Sequence, residues 1–238
     1  NTCTRNCRFC DVRSGPPEPP DSGEPERISQ AVRALSLRYC VVTSPTRDDL
    51  PDGGAGHFAD TVEAIKAICP ETLVEILIPD LQGDRHSIQS LARGKPEVIA
   101  HNVETVARLT PAVRDPRTSY ERSLAVLRTI KGFGSDTCTK SGLMIGLGEQ
   151  EEEIMGTMSD LRRAGCDVLT IGQYLQPSRE CIPVAEYISP EKFETYRRAG
   201  AEMGFRSVVS GPLVRSSYQA EEAFAAASKP PRQMQSAK

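Results

Sequence analysis

The sequence predicts an α/β fold in which about six parallel strands alternate with helices packed outside them. Two observations carry that expectation. From Leu37 onward, short apolar runs alternate with segments of helical period, the pattern of repeated βα units. The strand ends also carry polar residues, Thr43-Ser44, Pro79-Asp80, His101-Asn102 and Gly172-Gln173, as does the carboxyl edge of a parallel barrel or open sheet where it builds a site. With 238 residues, 38% of them hydrophobic, the chain can bury one sizeable core, so a single domain over 1–218 is expected.

Taken in order, the strands are predicted at 38–43, 73–78, 98–101, 141–145, 168–172 and 206–209. Segment 13–25 is rich in Pro, Gly and Ser and reads as a loop. Phe58, Val62, Ile65 and Cys69 share one helical face, as do Ile154, Met158 and Leu161, and also Phe193, Tyr196 and Met203. The helix over 151–163 starts in Glu149, Glu151, Glu152 and Glu153 and ends in Arg162 and Arg163, which suits its macrodipole and reads as capping rather than catalysis. The tail over 219–238, with Pro230 and Pro231 and no apolar period from residue 223, is expected to be disordered.

Bulk charge excludes little but directs attention to local motifs. Twenty-nine Lys and Arg against 32 Asp and Glu leave a net charge of -3, which gives no electrostatic reason for a nucleic-acid or membrane-surface partner. No apolar run approaches the roughly 20 residues that span a bilayer, so the expected location is a bacterial cytoplasm, with a mitochondrion or plastid as the alternative. Residue 1 is Asn and a cysteine motif begins two residues later, so the start is expected not to be native, with a first strand belonging before it.

That motif, Cys3-Thr4-Arg5-Asn6-Cys7-Arg8-Phe9-Cys10, spaces three thiols as C-x3-C-x2-C on one short loop. A 4Fe-4S cluster held by three thiolates keeps one iron open. An open iron can chelate the amino and carboxylate groups of S-adenosylmethionine (SAM), and a reduced cluster can pass an electron to its sulfonium. Structural zinc is the competing reading, but it asks for a closed set of four ligands, and Cys40, Cys69, Cys138, Cys166 and Cys181 supply no second pair. Cys40 and Cys69 read as packed thiols, and Cys138 and Cys166 likewise.

Other segments have readings of their own. Gly53-Gly54 lets backbone approach a ligand closely, and Asp49 or Asp52 can bind an amino group, unless Asp-Gly-Gly is only a tight turn. Asn102 and Glu104 can meet a ribose or methionine group, or cap a helix. Lys140 and Ser141 open a strand. Tyr174, after Gln173, can stack on adenine or belong to the core.

The cysteine loop resembles that of the radical SAM superfamily, and a series of further segments resembles the lipoyl synthases. They are Thr43-Ser44, Arg47-Asp48-Asp49-Leu50, Asp52-Gly53-Gly54-Ala55, His57-Phe58, Ile78-Pro79-Asp80, His101-Asn102-Val103-Glu104-Thr105-Val106, Thr139-Lys140-Ser141-Gly142-Leu143-Met144, Gly146-Leu147-Gly148-Glu149, Thr170-Ile171-Gly172-Gln173-Tyr174-Leu175-Gln176-Pro177 and Ser210-Gly211-Pro212-Leu213-Val214-Arg215-Ser216-Ser217-Tyr218. The resemblance implies a partial (β/α) barrel of the radical SAM type. It assigns Cys3, Cys7 and Cys10 to the SAM-binding 4Fe-4S cluster. Thr43, Ser44, Asp49, Asp52, Gly53, Gly54, Asn102, Glu104, Gln173 and Tyr174 would then serve the cofactor. It further implies an auxiliary 4Fe-4S cluster that donates sulfur, with Ser217 as its serine ligand and Ser216 as the other candidate. The family's amino-terminal three-cysteine motif for that cluster is absent from this sequence. Ala100 and Cys181 stand where Asn and His are expected.

By the same resemblance, radicals from SAM take hydrogen at two unactivated carbons of an octanoyl chain, and sulfur enters at each. The implied partners are an octanoylated lipoyl carrier domain and a reductant such as ferredoxin or flavodoxin. A different radical SAM sulfurtransferase, or a noncatalytic iron-sulfur or zinc module, stays open as an alternative reading.

Overall fold

The computed structural model describes residues 2–134 and 137–228. Its strands are β1 (Tyr39–Thr43), β2 (Leu73–Leu77), β3 (Val98–Ala100), β4 (Cys138–Ile145), β5 (Val168–Gln173) and β6 (Ser207–Gly211). They form one parallel sheet in sequence order, with β1 and β6 at its edges. Around them run α1 (Glu24–Ala34), α2 (Ala55–Ile68), α3 (Arg85–Ser90), α4 (Thr110–Val113), α5 (Tyr120–Lys131), α6 (Glu151–Arg163), α7 (Pro190–Glu202) and α8 (Ala220–Ala227). All six expected strands are present. β4 starts earlier than expected, so Lys140 and Ser141 lie inside it.

Alternation along each strand sorts the side chains into two populations. Val74, Ile76, Ile99, Leu143, Ile145, Leu169 and Ile171 pack against the helices. On α2, α6 and α7 the predicted stripes are buried: Phe58, Val62 and Ile65; Ile154, Met158 and Leu161; Phe193 and Tyr196. Cys69 and Met203 fall at the C-caps instead. The acidic start of α6 does cap it, because Gln150 and Glu153 exchange side-chain and backbone bonds. Segment 13–25 is a loop only as far as Gly23, for α1 begins at Glu24 with Pro25 in its first turn, where a missing N–H costs nothing.

The other strand face lines an interior, and α8 closes its lower end. Ala223, Ala227 and Phe224 pack on Val98, Cys138, Val168 and Val209, and Phe224 meets Tyr39 with ring centroids 6.2 Å apart. This corrects the expectation of disorder for the first part of the tail. Small alanines four residues apart make a real apolar face that a hydropathy period hides. Residues 229–238 lie outside the described residues. The helix also reveals the curvature of the sheet. Eight residues span only ~12 Å, whereas β1 and β6 would lie ~24 Å apart on a flat six-stranded sheet. Yet α8 touches both, so the sheet is curled into a partial barrel.

Above that plug sits a buried ion pair. Lys140 Nζ donates to both Glu75 carboxylate oxygens at 2.8 and 3.0 Å, and Tyr39 donates to Glu75 at 2.6 Å. With its lower end filled and its middle occupied by charges already paired, the interior leaves room for a ligand at the carboxyl end of the strands. Among the described residues no helix is long and apolar enough to cross a membrane.

Candidate active site

The cysteine loop crosses that open end and is tied to it by one buried guanidinium. Arg5, 4% exposed, grips Asp48 with two parallel bonds of 2.9 and 2.8 Å and Asp80 with one of 2.6 Å. Asp48 follows β1 and Asp80 follows β2, so one side chain from the loop bridges two strand ends. The planar fork of arginine suits this, since it can meet two carboxylates at once where a lysine ammonium offers a single point charge. Burial alone would raise the Asp80 carboxyl, but the hydrogen bond and charge of Arg5 hold it below the ordinary aspartate range.

Further bonds fix the rest of the loop. The Thr4 N–H and hydroxyl donate to Thr46 O, both at 3.0 Å. Asn6 N–H donates to Asp115 at 2.8 Å, and Arg8 N–H donates to Val113 O at 2.9 Å. Arg117, bonded to Asp115, holds that carboxyl far below its usual range and also donates to Thr4 O at 2.5 Å. Ile182 N–H closes the other side on Arg8 O at 2.8 Å.

So held, Cys3, Cys7 and Cys10 all line one cavity of about 360 Å³. Two of the sulfurs accept backbone N–H groups, Cys3 from Arg5 at 3.4 Å and Cys7 from Asp115 at 3.3 Å. Burial pushes the Cys7 and Cys10 thiols up, and assembly of a metal centre there must release their protons. Among the described residues no three His, Cys, Asp or Glu side chains are gathered closely enough to hold one metal ion. A closed zinc site needs that closeness, whereas a cube takes each thiolate on a different iron. The donor set therefore fits an iron-sulfur cluster.

The cleft continues beyond the loop. Phe9, Asn102 and Glu104 line both this cavity and a second of about 200 Å³, which runs past Gly142, Thr170 and Gly172 to Val214, Arg215 and Ser216. Glycines make that floor. A Cβ on Gly172 would lie 2.3 Å from Val214 O, and one on Gly142 would lie 2.8 Å from Asn102 Oδ1. Asn102 Oδ1 is buried without a partner among the described residues, so this acceptor waits at the junction for a donor that the described chain lacks.

Beside the junction, His101 is 2% exposed. Its Nδ1 lies 3.0 Å from the Ile78 carbonyl, which only accepts, so Nδ1 carries the hydrogen. Nε2 then accepts from the Ser123 hydroxyl at 3.0 Å, while Arg114 donates to that same oxygen at 2.9 Å. Burial first, and then the charge of Arg114, lower His101 to about 4.

Of the residues predicted for the cofactor, Thr43, Ser44, Asn102 and Glu104 line the larger cavity, and Gln173 and Tyr174 line the smaller. The Gln173 side chain is consumed by the fold, bonding Glu186 O, Tyr174 O and Ile188 N–H. Tyr174 is a core residue that donates to Ile182 O at 2.7 Å. Asp49, Asp52 and Gly53 are not brought to the cleft, and local turn chemistry accounts for them. Asp49 is held by Arg47 at 2.9 and 2.8 Å, Asp52 accepts from Gly54 and Gly56, and Gly53 has a φ of 63°. Gly54, φ 88°, faces a neighbouring cavity of about 520 Å³ across Thr43 to Pro45. Ser217 is exposed and outside these cavities, whereas Ser216 lines the smaller one. Sequence reasoning missed Phe9 and the Arg5 clamp. An arginine inside the cysteine motif is visible in the sequence, but its partners Asp48 and Asp80 lie 43 and 75 residues away.

Residues 1–172 match the Radical SAM superfamily. The chain is 54% identical over 222 residues to a lipoyl synthase of Caldicellulosiruptor saccharolyticus, covering 93% of this chain and 78% of that protein. It is 52% identical over 235 residues to a lipoyl synthase of Anaeromyxobacter, covering 97% and 80%. A chloroplastic lipoyl synthase 2 of Zea mays is 53% identical over 225 residues, 94% of this chain and 61% of that one. Among solved structures, the FeFe-hydrogenase maturase HydG of Carboxydothermus hydrogenoformans superposes with a TM-score of 0.65 at 15% identity, covering 94% of this chain and 63% of that one. Methylornithine synthase gives 0.63 at 13%, covering 90% and 71%. These two share the fold.

The site yields two predictions. Arg5→Met leaves buried Asp80 with Arg122 at 3.5 Å as its remaining cationic partner, which costs up to about 3–5 kcal/mol; urea denaturation shows the loss, and iron retained after reconstitution and gel filtration falls severalfold. His101 is neutral in the fold, with a folded pKa of about 4 below the unfolded value of about 6.5. Its contribution is complete above the unfolded value and is lost as pH falls towards the folded one, about 3 kcal/mol in all. Unfolding free energies measured between those pH values should fall more steeply for the parent chain than for His101→Gln.

Proposed function

The chain belongs to the lipoyl synthase family of the radical SAM superfamily, and from that premise we propose how its cleft is used. As a lipoyl synthase it is a sulfur-transferring enzyme that uses a 4Fe-4S cluster and SAM on an octanoylated protein. Cys3, Cys7 and Cys10 hold the cluster by three corners. Once bound, cluster and SAM supply a carbon radical able to take hydrogen from an unactivated CH2, whose proton is far too weakly acidic for any side-chain base.

The chain's own residues bind, orient and shield. Thr43 and Ser44 at the end of β1, with Asn102 and Glu104 after β3, provide hydroxyl, amide and carboxylate groups for the amino-acid and ribose parts of SAM. Phe9, Leu143, Met144, Leu175 and Val214, all lining the smaller cavity or its mouth, offer an apolar wall for an octanoyl chain and keep water from the reacting carbon. An auxiliary cluster belongs by this reading at the Arg215 end, with Ser217 as its oxygen ligand and Ser216 as the second candidate. None of Cys40, Cys69, Cys138, Cys166 and Cys181 lines either cavity. The octanoylated carrier would dock at the cleft mouth, and a ferredoxin or flavodoxin would reduce the cluster, in a bacterial cytoplasm.

One observation carries this reading: the cavity under the three thiols shares the wall of Phe9, Asn102 and Glu104 with a second that ends at the Arg-Ser segment. A noncatalytic iron-sulfur or zinc module has no use for that second chamber. The test is anaerobic reconstitution with iron and sulfide, then dithionite and SAM. Deoxyadenosine is expected, falling to background in Cys7→Ala. A protein that takes up zinc and never cleaves SAM overturns the reading in favour of the module.

A further inference from the structure

The smaller cavity has a definite bottom, and the strand register shows where it lies. Side chains alternate along a strand, so on β4 positions 140, 142 and 144 point into the barrel together, as do 168, 170 and 172 on β5. The two sets sit side by side: Met144 is opposite Gly172, Gly142 opposite Thr170, and Lys140 opposite Val168. The upper two pairs line the cavity and the third does not. Thr170 therefore belongs to the last open layer, two residues and ~7 Å deeper than Gly172.

What lies beneath that layer is closed to a ligand. Lys140 and Glu75, 2% and 0% exposed, are paired with each other at 2.8 Å, and Val168 packs on Ala223 and Ala227 of the plug. On the other side of β5, Thr170 is opposite Val209, which packs on the same plug. An apolar group pushed below this level has to part a buried ion pair or displace α8, and either costs more than the burial of one methylene gains.

The deepest layer owes its shape to one side chain. Gly142 has none, and a Cβ there would stand 2.8 Å from Asn102 Oδ1. Gly172, a layer higher, is equally fixed, since its Cβ would stand 2.3 Å from Val214 O. Thr170 is 3% exposed, and its hydroxyl donates to Ser141 O at 3.4 Å. Its polar atom is thus turned to the backbone, and what it gives the cavity is volume.

We propose that Thr170 is a specificity-determining residue, the stop against which the methyl end of the acyl chain rests. This depends on the reading above that the octanoyl group occupies the smaller cavity, and goes beyond it by naming what limits the chain's length. The acyl group is carried on a protein that stays outside, so the chain enters past exposed Leu175 and Arg215 and its methyl end goes deepest. Apolar wall along the way rewards each added methylene until the end meets Thr170, and the next has nowhere to go. Length is read as the distance from the mouth to one threonine.

The test is equilibrium dialysis of short peptides carrying a hexanoyl, octanoyl or decanoyl group on a lysine, against the anaerobically reconstituted chain with SAM present. In the parent, affinity should rise from hexanoyl to octanoyl and fall by about tenfold or more at decanoyl, the discrimination a filled apolar pocket gives per methylene. Thr170→Ala deepens the slot, so it should bind decanoyl about tenfold more tightly than the parent does. Thr170→Leu makes the slot shallower, so octanoyl should bind about tenfold more weakly while hexanoyl keeps its affinity. Thr170→Val keeps the volume without the hydroxyl and should keep the parent's order. Iron content equal to the parent's shows that each variant is folded. Affinity that goes on rising to decanoyl in the parent, or one order of chain lengths shared by the parent, Thr170→Ala and Thr170→Leu, overturns the stop alone. An octanoyl peptide bound no more tightly than its unacylated form overturns the reading of the smaller cavity, and the stop with it.

Discussion

A single buried arginine decides the shape of the catalytic loop. Three cysteines within eight residues have no intrinsic reason to face one point, and their loop makes few ladder bonds of its own. Arg5 supplies the reason by joining the carboxylates that follow β1 and β2. Its charge is nearly out of water, so it is tolerable only because both acids are present and well aligned. That mutual dependence turns two strand ends and a loop into one rigid frame, and it transfers the precision of the sheet to the sulfur atoms.

The rest of the barrel directs ligands toward that frame by filling the lower and middle parts of its interior. α8 plugs the lower end with alanine and phenylalanine, and Lys140, Glu75 and Tyr39 occupy the middle with charges and hydroxyls already paired. Glycines at 142 and 172 then keep the upper floor thin enough for Asn102 and the segment ending in Ser216 to close over it. The interior thus passes from apolar to ionic to open along the strand direction, and the open layer is where the cysteine loop lies. Neutral His101, bonded at both ring nitrogens, sits under the loop as a fixed support.

Much of this was legible in the amino-acid sequence, and what was missed has identifiable causes. All six strands were visible because each carries a short apolar run between turns, while the polar opening of β4, Thr139-Lys140-Ser141, hid its start. The thiol triad and the polar strand ends identified the site's place, since those residue types have little business there otherwise. α8 was hidden because alanine contributes little to a hydropathy period while packing well in a narrow space. For Asp49 and Asp52 the sequence leaves a ligand role and a tight turn open, and their bonds to Arg47, Gly54 and Gly56 are those of the turn and the start of α2. Arg5 and Asn102 could not be weighed from sequence, because their importance lies in contacts 43 to 114 residues distant.

The proposed chemistry depends on a cluster gripped by three thiolates with its remaining iron open to SAM. Electron paramagnetic resonance of the dithionite-reduced, anaerobically reconstituted chain, titrated with SAM, examines that directly. A new set of g-values that saturates at about one SAM per cluster is the predicted result, as expected when a ligand takes the open iron. A spectrum that stays unchanged at saturating SAM would contradict it.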